Sequence, residues 1–355
     1  MINNFKINSF CNRFLVIFEI KFNIMRIFIL IASLILLFSC TDKKQYLLYQ
    51  GEVHGTFFHI TYQSSEDLSL EIDSVFKVFN ASLNNYDPNS LISKINNNEE
   101  VETDSLFRAM FYKAKEVYEK SDGAFDISVA PIVNEWGFGW VKKDKNSIPD
   151  SSSIENLLPF VGMDKWKIVD NKVVKEFPEA KLISNAIAKG QSVDFVANFL
   201  ISQGVENFLV EIGGEIVCKG KNPKGEIWKI GIDKPIEDDV CENRENQIII
   251  NVSDRAIATS GNYRQFIESG SKKYAHTINP KTGYPEENEL LSVTVIASDC
   301  MTADAYATAF MASGLEKSKQ ILEKNNSIDA YFIYHDSLNN VYDYYTKNFE
   351  QYIVK

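Results

Sequence analysis

The stretch that organises this chain is Ser-Asp-Cys-Met-Thr-Ala-Asp-Ala-Tyr-Ala-Thr-Ala-Phe-Met-Ala-Ser-Gly, residues 298–314. It follows an apolar run, Leu291–Ala297, that is typical of a strand, and its many alanines favour a helix. On that helix Asp304 and Thr308 lie one turn apart on the same face. A carboxylate oxygen beside a hydroxyl oxygen suits a hard cation such as Mg²⁺. An acidic side chain in the first turn of a helix is also stabilised by the helix dipole without any metal. This stretch alone therefore leaves both the metal site and the purely structural role open.

The first 40 residues have the pattern of an export signal. Met25-Arg26 precedes an apolar run, Ile27–Phe38, that is too short to span a bilayer well. The run ends in Leu37-Phe38-Ser39-Cys40, which resembles a bacterial lipoprotein signal, in which the cysteine is lipidated and becomes the new first residue. An ordinary secretory signal or an N-terminal anchor is the alternative.

We therefore divide the chain into an extension and signal at residues 1–40, a tether at 41–50 and one domain at 51–355. A lipid on Cys40 would hold the exported protein on a bacterial membrane, in the cell envelope and facing the periplasm. The net charge is −11, and residues 1–40 carry +3, so −11 minus 3 leaves −14 on the remainder. Because a basic surface is absent, the composition argues against a nucleic-acid partner.

The order of predicted elements indicates an α+β fold. Strand-like and helix-like segments follow each other without the regular alternation of a doubly wound sheet. The five cysteines include no Cys-x-x-Cys pair, so neither a zinc site nor a thioredoxin-like motif is indicated. We expect Cys218, Cys241 and Cys300 to be buried as small apolar groups rather than joined in a disulfide framework.

Two further segments carry candidate chemistry. Ser184–Gly190 precedes a predicted helix, where unpaired N–H groups and Lys189 would attract a phosphate, although the spacing is not that of a Walker loop. His276 stands on a predicted strand, Tyr274–Asn279, that the Pro280–Gly283 turn follows, and it could act there as a general base. Each signal is weak by itself, because such a lysine is usually solvated and a lone histidine is usually structural.

A series of short motifs, taken in order, resembles the ApbE family of FAD:protein FMN transferases. The resemblance runs from about Gly51 to Gly314 or beyond. The motifs are Gly55–Phe58, Tyr86–Ser90, Gly123–Asp126, Trp136–Gly139, Asn185–Gly190, Glu211–Gly214, Thr259–Tyr263, His276–Gly283 and Ala303–Thr308.

The resemblance implies two closely joined lobes with a cleft for FAD and a metal between them. It also implies a reaction in which FMN passes from FAD to a threonine of an acceptor protein and AMP leaves. The implied acceptors are flavoprotein subunits of membrane redox complexes, such as the sodium-pumping NADH:quinone reductase or its Rnf-type relatives. A metal-dependent FAD diphosphatase and a non-catalytic flavin-binding lipoprotein would share the same residues and remain alternatives.

The resemblance also implies roles for individual residues. Asp304, Thr308 and the backbone carbonyl of Ala186 would hold Mg²⁺ or another divalent cation. His276 would accept the threonine proton, and Asp304 would take part in catalysis through the metal. The residues expected to contact or border FAD are Tyr86, Ala124, Phe125, Asp126, Lys189, Ser260, Gly261 and Ile278.

Two positions depart from the family pattern. His54 stands where the family commonly has a methionine before Gly-Thr. Ile183 stands where many members have an aspartate, six residues before the lysine. We expect these changes to alter the FAD pocket more than the type of reaction.

Overall fold

The computed structural model describes residues 25–26, 44–141, 143, 148–235, 245–262, 266–269, 272–286 and 288–354. The lipidation prediction at Cys40, nearly all of the predicted signal region and Cys241 lie outside these residues. Within the described ranges, no helix is long and apolar enough to cross a membrane.

An eight-stranded sheet forms the framework of the chain. From one edge to the other it contains β1 (Gln45–Val53), β2 (Thr56–Ser64), β5 (Phe208–Ile212), β6 (Glu215–Lys219), β9 (Arg255–Gly261), β12 (Leu290–Ala297), β13 (Asp329–His335) and β14 (Val341–Tyr345). From β2 to β14 every neighbouring pair is antiparallel. Three two-stranded sheets join β3 (Trp166–Val169) to β4 (Lys172–Lys175), β7 (Trp228–Asp233) to β8 (Asn246–Val252), and β10 (Phe266–Ser269) to β11 (Lys272–Ala275).

The helices are numbered here in chain order. They are α1 (Ser69–Leu83), α2 (Leu91–Asn96), α3 (Ser105–Lys120), α4 (Ala130–Glu135), α5 (Ser151–Leu157), α6 (Ala188–Ser202), α7 (Cys300–Ser313) and α8 (Leu315–Glu323). Short 3₁₀ turns occupy Leu158–Phe160, Met163–Lys165 and Lys347–Tyr352. This mixture of helices with an antiparallel sheet confirms the predicted α+β class.

Strand β12 is covered on both faces, so its polar residues Ser292 and Thr294 are buried together with its apolar ones. Val293 and Val295 join the large core formed with α3, α7 and α8. Ile296 points to the opposite face, into a second core with Trp228 of β7 and Phe349 near the C-terminus. Helix α7 packs against β9 and β12, so the fold fixes the helix that carries Asp304 and Thr308.

The first strand begins earlier than the sequence indicated. Residues 45–50, which were predicted as part of a tether, belong to β1, because Leu47 and Tyr49 pack against a core shared by β2, α1 and α6. Strands β1 and β2 form a hairpin, since His54 and Gly55 both have positive φ and turn the chain between them. The resemblance implied closely joined lobes within one domain, and the residues from Tyr46 onward form one compact unit.

Candidate active site

Helices α6 and α7 meet closely at Gly190. A Cβ atom at this position would lie 2.3 Å from the carbonyl oxygen of Cys300 and 2.7 Å from Cβ of Asp304. Both distances are far inside van der Waals contact, so only glycine permits this approach. The sequence motif around Lys189 and the one around Asp304 are thereby brought together.

Two acids hold the start of α7. Both carboxylate oxygens of Asp194, on α6, accept backbone N–H groups at 2.8 Å, one from Cys300 and one from Met301. Asp299 caps the same helix locally by accepting the Thr302 N–H at 2.8 Å. Burial raises the pKa of Asp194 to about 7 against the effect of those two N–H donors. Asp194, which ties α6 to α7, was not among the residues predicted from the sequence.

Asp304 is buried, and its two oxygens have different roles. Oδ2 accepts the backbone N–H of Gly190 at 2.9 Å, whereas no hydrogen bond between residues in the described ranges ends on Oδ1. Burial raises the pKa of this carboxyl, and the Lys189 ammonium and the Gly190 N–H oppose the rise. One turn later, Thr308 is partly exposed, and its Oγ1 lies 3.5 Å from Oγ of Ser260.

Ala186 lies in the turn before α6. Its backbone carbonyl is the third oxygen predicted to bind the cation, after those of Asp304 and Thr308. The Gly190 N–H, which would otherwise close the first helical turn onto this carbonyl, donates to Asp304 instead. No other N–H in the part of the chain that is described donates to the Ala186 carbonyl. Carboxylate, hydroxyl and carbonyl oxygens are the donors that Mg²⁺ prefers, so the residues fit such an ion. Across the described ranges, no group of three or more His, Cys, Asp or Glu side chains forms a metal site of another kind.

An ion pair between the partly exposed Lys189 and the buried Glu215 adjoins this group. Nζ of Lys189 contacts Oε1 of Glu215, the first residue of β6. Glu215 is 1% exposed, and its Oε2 has no partner among the described residues. Burial raises the pKa of Glu215 to about 7, against the lowering effect of Lys189. For Lys189, burial lowers the pKa, but the carboxylates of Glu215 and Asp304 outweigh burial and raise it.

Glu215 was missed by the sequence analysis, although it directly follows the quoted Glu211–Gly214 motif. The signal was available, because the residue stands after Gly213 and Gly214, which turn β5 into β6 with φ values of 64° and 102°. A charged residue at the first position of a strand is ordinarily expected to be exposed. Only the contact with Lys189, which the sequence does not reveal, explains why Glu215 is buried.

The predicted FAD positions fall into separate parts of the structure. The hydroxyl of Tyr86, whose ring is largely exposed, accepts a hydrogen bond from the Asn185 amide at 3.2 Å and therefore lies beside Ala186. Ala124 is partly exposed, but the Phe125 side chain is buried in the large core. Any contact of Phe125 with a ligand would therefore involve its backbone.

Asp126 lies in a polar pocket of its own. Its Oδ1 accepts the N–H of Ser128 at 2.7 Å and the hydroxyl of the same residue at 2.5 Å, while burial raises the pKa of Asp126 to about 6. It lines a cleft of about 530 Å³ together with Tyr118 and Lys281. Neither Lys189 nor Asp304 lines that cleft.

The segment that carries His276 and Ile278 connects to the end of β9. The hydroxyl of Thr277 donates to Oδ1 of Asn262 at 3.0 Å, and Asn262 follows Ser260 and Gly261 directly. The His276 ring meets the Phe138 ring edge-on, with the ring centroids 6.4 Å apart. Ile278 is buried in the core around Trp136. The structure thus brings together three of the quoted motifs, Thr259–Tyr263, His276–Gly283 and Trp136–Gly139.

Of the two unusual positions, His54 is partly buried and Ile183 is buried. The His54 ring lies 3.1 Å from Oδ1 of Asn80 and 2.8 Å from Oγ of Ser192, so it joins the first hairpin to α1 and α6. Burial lowers the pKa of His54. Ile183 is buried, and its N–H donates to the Ile127 carbonyl at 2.8 Å. Their predicted effect on the FAD pocket stays a prediction.

Comparison with known proteins matches this fold and site. Residues 54–332 match the ApbE family. The FAD:protein FMN transferase of Haemophilus influenzae is 35% identical over 313 residues, which cover 84% of this chain and 89% of that protein. The FAD:protein FMN transferase of Vibrio cholerae is 36% identical over 304 residues, which cover 83% and 90%. The chain belongs to the ApbE family, as the sequence motifs indicated.

Solved structures agree with the same assignment. The flavin transferase ApbE from Vibrio cholerae superposes with a TM-score of 0.78 at 34% identity and covers 87% of this chain and 99% of that one. The apo form of the Pseudomonas stutzeri flavinyl transferase ApbE gives a TM-score of 0.77 at 27% identity and covers 87% and 96%. The likeness therefore extends over almost the whole of each solved chain.

Proposed function

We propose that this chain is an FAD:protein FMN transferase that moves FMN from FAD to a threonine hydroxyl of an acceptor protein. The observation that carries the proposal is the junction of α6 and α7. There Oδ1 of the buried Asp304 accepts no hydrogen bond from the described residues, Thr308 follows on the next turn, and Lys189 stands at the start of the other helix. Membership of a family whose relatives are FAD:protein FMN transferases supports the same activity.

Asp304, Thr308 and the Ala186 carbonyl are the residues that would hold a divalent cation, for which we propose Mg²⁺. When bound, such an ion would neutralise charge on the pyrophosphate oxygens of FAD. Lys189 and the N–H groups at the start of α6 would bind those oxygens as well, since a helix N-terminus favours anions.

His276 is the proposed base. It would take the proton of the acceptor threonine as the threonine oxygen forms a bond to the phosphorus of the FMN half. The bond from that phosphorus to the bridging oxygen breaks, and AMP leaves with the bridging oxygen. A positioned base typically contributes about 10²–10⁴-fold to such a step. The Thr277–Asn262 bond would orient the segment that carries this histidine toward the end of β9, where Ser260 adjoins Thr308.

The cellular setting is also a proposal. We infer from the signal pattern that Cys40 is lipidated and that the protein faces the periplasm from a bacterial membrane. The acceptors would then be flavoprotein subunits of membrane redox complexes, of the sodium-pumping NADH:quinone reductase or Rnf type. Incorporation of labelled palmitate, lost in Cys40→Ala, tests the anchor.

The activity is tested with a form that lacks residues 1–40, which leaves the compact unit from Tyr46 onward intact. This form is mixed with FAD, Mg²⁺ and a candidate acceptor, and AMP and protein-bound flavin are measured together. The transferase produces one AMP for each flavin that stays on the denatured acceptor. Release of free FMN and AMP at the same rate without acceptor would instead indicate the diphosphatase. Tight retention of FAD with neither product would indicate a flavin-binding protein.

A further inference from the structure

Lys189 has two carboxylates within electrostatic reach but pairs with one of them. Its ammonium contacts Oε1 of Glu215, while the charge of Asp304 acts on it without a direct ion pair between these two described residues. Asp304 is the acidic ligand in the cation site proposed above. The pairing therefore decides whether the lysine lies beside the metal ligand or away from it.

Glu215 is built as a fixed anchor. It is almost fully buried, the turn at Gly213 and Gly214 precedes it, and its strand pairs with β5 and β9. A Cβ atom on Gly213 would lie 2.8 Å from the Thr56 side chain, so the turn is itself packed. Oε2 of Glu215 has no partner within the described ranges. Burying a half-satisfied carboxylate is unfavourable, so packing alone does not account for this residue.

We propose that Glu215 is a positioning residue that holds Lys189 off Asp304 and thereby keeps the cation site open. This inference rests on the proposed metal site. Without Glu215, the flexible lysine stem would swing its ammonium to Asp304, whose charge already acts on it and whose Oδ1 accepts no hydrogen bond from the described residues. The ammonium would then compete with the cation for Asp304. Loss of Glu215 would thus redirect the Lys189 ammonium to Asp304 rather than only change the net charge. The effects of Glu215 and Lys189 on metal binding are therefore coupled.

The test is a double-mutant cycle on Mn²⁺ binding, measured by electron paramagnetic resonance with the full chain at pH 8 and without FAD. The variants are Glu215→Gln, Lys189→Met and the double variant. If Glu215→Gln does not fold by circular dichroism, Glu215→Met, of similar volume, takes its place. Glu211→Ala is the matched control, because it removes an acid on β5 that is paired with His59 of β2.

We expect Glu215→Gln to weaken Mn²⁺ binding about tenfold. Lys189→Met should tighten binding about tenfold in the Glu215→Gln background and less than about threefold in the wild-type background. The control should bind as the wild type does. Equal factors for Lys189→Met in both backgrounds, or a Glu215→Gln variant that binds like the wild type, would overturn the inference.

Failure of the inference and failure of the proposed function give different results. If the wild-type protein transfers flavin but the mutational effects on Mn²⁺ binding are additive, the proposed function stands and the role of Glu215 is refuted. If the wild-type protein binds no Mn²⁺, both the proposed metal site and the role of Glu215 are refuted. Flavin transfer measured on the same preparations then shows whether the activity survives without that site.

Discussion

The backbone N–H of Gly190 donates to Oδ2 of Asp304 at 2.9 Å, so the first turn of α6 holds the acid of α7 in place. This bond uses one carboxylate oxygen and orients the other. It also takes the N–H that would normally close onto the Ala186 carbonyl. A single contact between two helices therefore accounts for two of the three oxygens in the proposed cation site.

Gly190→Ala should damage both stability and transfer. The added methyl would meet the Cys300 carbonyl and Asp304, and overpacking of this kind typically destabilises a protein by about 1–3 kcal/mol. Chemical denaturation would measure the change in the free energy of unfolding. Ser202→Ala, at the exposed end of the same helix, should stay within about 0.5 kcal/mol of the wild type. A Gly190→Ala variant with wild-type stability would show that α6 and α7 are not in close contact.

Two acids that cap the same helix should differ in their effect. Asp194→Ala should lower the free energy of unfolding by about 2 kcal/mol or more, because it leaves two N–H groups of α7 without an acceptor. Asp299→Ala removes a single local cap and should have an effect of about 1 kcal/mol. Urea unfolding of both variants makes the comparison. Equal losses would mean that the link between α6 and α7 adds nothing to the cap.

The ionisation of Asp126 should make the stability of the folded protein depend on pH in a predictable direction. Burial raises its pKa from 3.8 to about 6, so the folded state binds more protons than the unfolded state between these values. Its contribution therefore stabilises the protein below about pH 4 and is lost as the pH rises through about 6. Asp126→Asn keeps the acceptor for Ser128 and should gain stability relative to the wild type on going from pH 4 to pH 7.5. The gain should reach at most about 3 kcal/mol, since each pKa unit corresponds to about 1.4 kcal/mol.

Thermal or urea unfolding at both pH values measures this difference. Asp170→Asn, in an exposed turn with positive φ that asparagine tolerates, is the control and should show no such trend. A constant difference between Asp126→Asn and the wild type across the pH range would refute the raised pKa.

His276→Ala should slow flavin transfer by about 10²–10⁴-fold while FAD still binds. The loss should appear in the maximal rate rather than in the FAD concentration at half-maximal rate. His59→Ala, on an exposed part of β2, serves as the control and should leave the rate unchanged. Wild-type turnover in His276→Ala would remove this histidine as the base.

Much of the central helix could be predicted because its signals are local. The largely apolar run before residue 298 predicts a strand, and the alanines after it favour a helix. The four-residue spacing of Asp304 and Thr308 then fixes their shared face. Helix α1 carries the same kind of local signal, because Ile72, Phe76 and Phe79 recur at helical spacing and are buried on one face.

The residues that sequence reasoning missed depend on contacts between distant segments. Asp194 caps a helix that starts 106 residues later in the chain, and Glu215 pairs with Lys189 across 26 residues. Neither partner is visible from local spacing. The turn at His54-Gly55 was missed because histidine seldom adopts positive φ, and here its contacts with Asn80 and Ser192 hold it there.

The most direct test of the account is the mass of an acceptor protein after incubation with FAD and Mg²⁺. With the wild type, we expect the acceptor to gain the mass of one FMN less one water, and the gain to vanish when its threonine is replaced by valine. With a folded Asp304→Ala variant, or with the wild type in excess EDTA, the acceptor mass should not change. An Asp304→Ala variant that adds FMN at the wild-type rate would contradict the claim that this helix junction holds the cation for transfer.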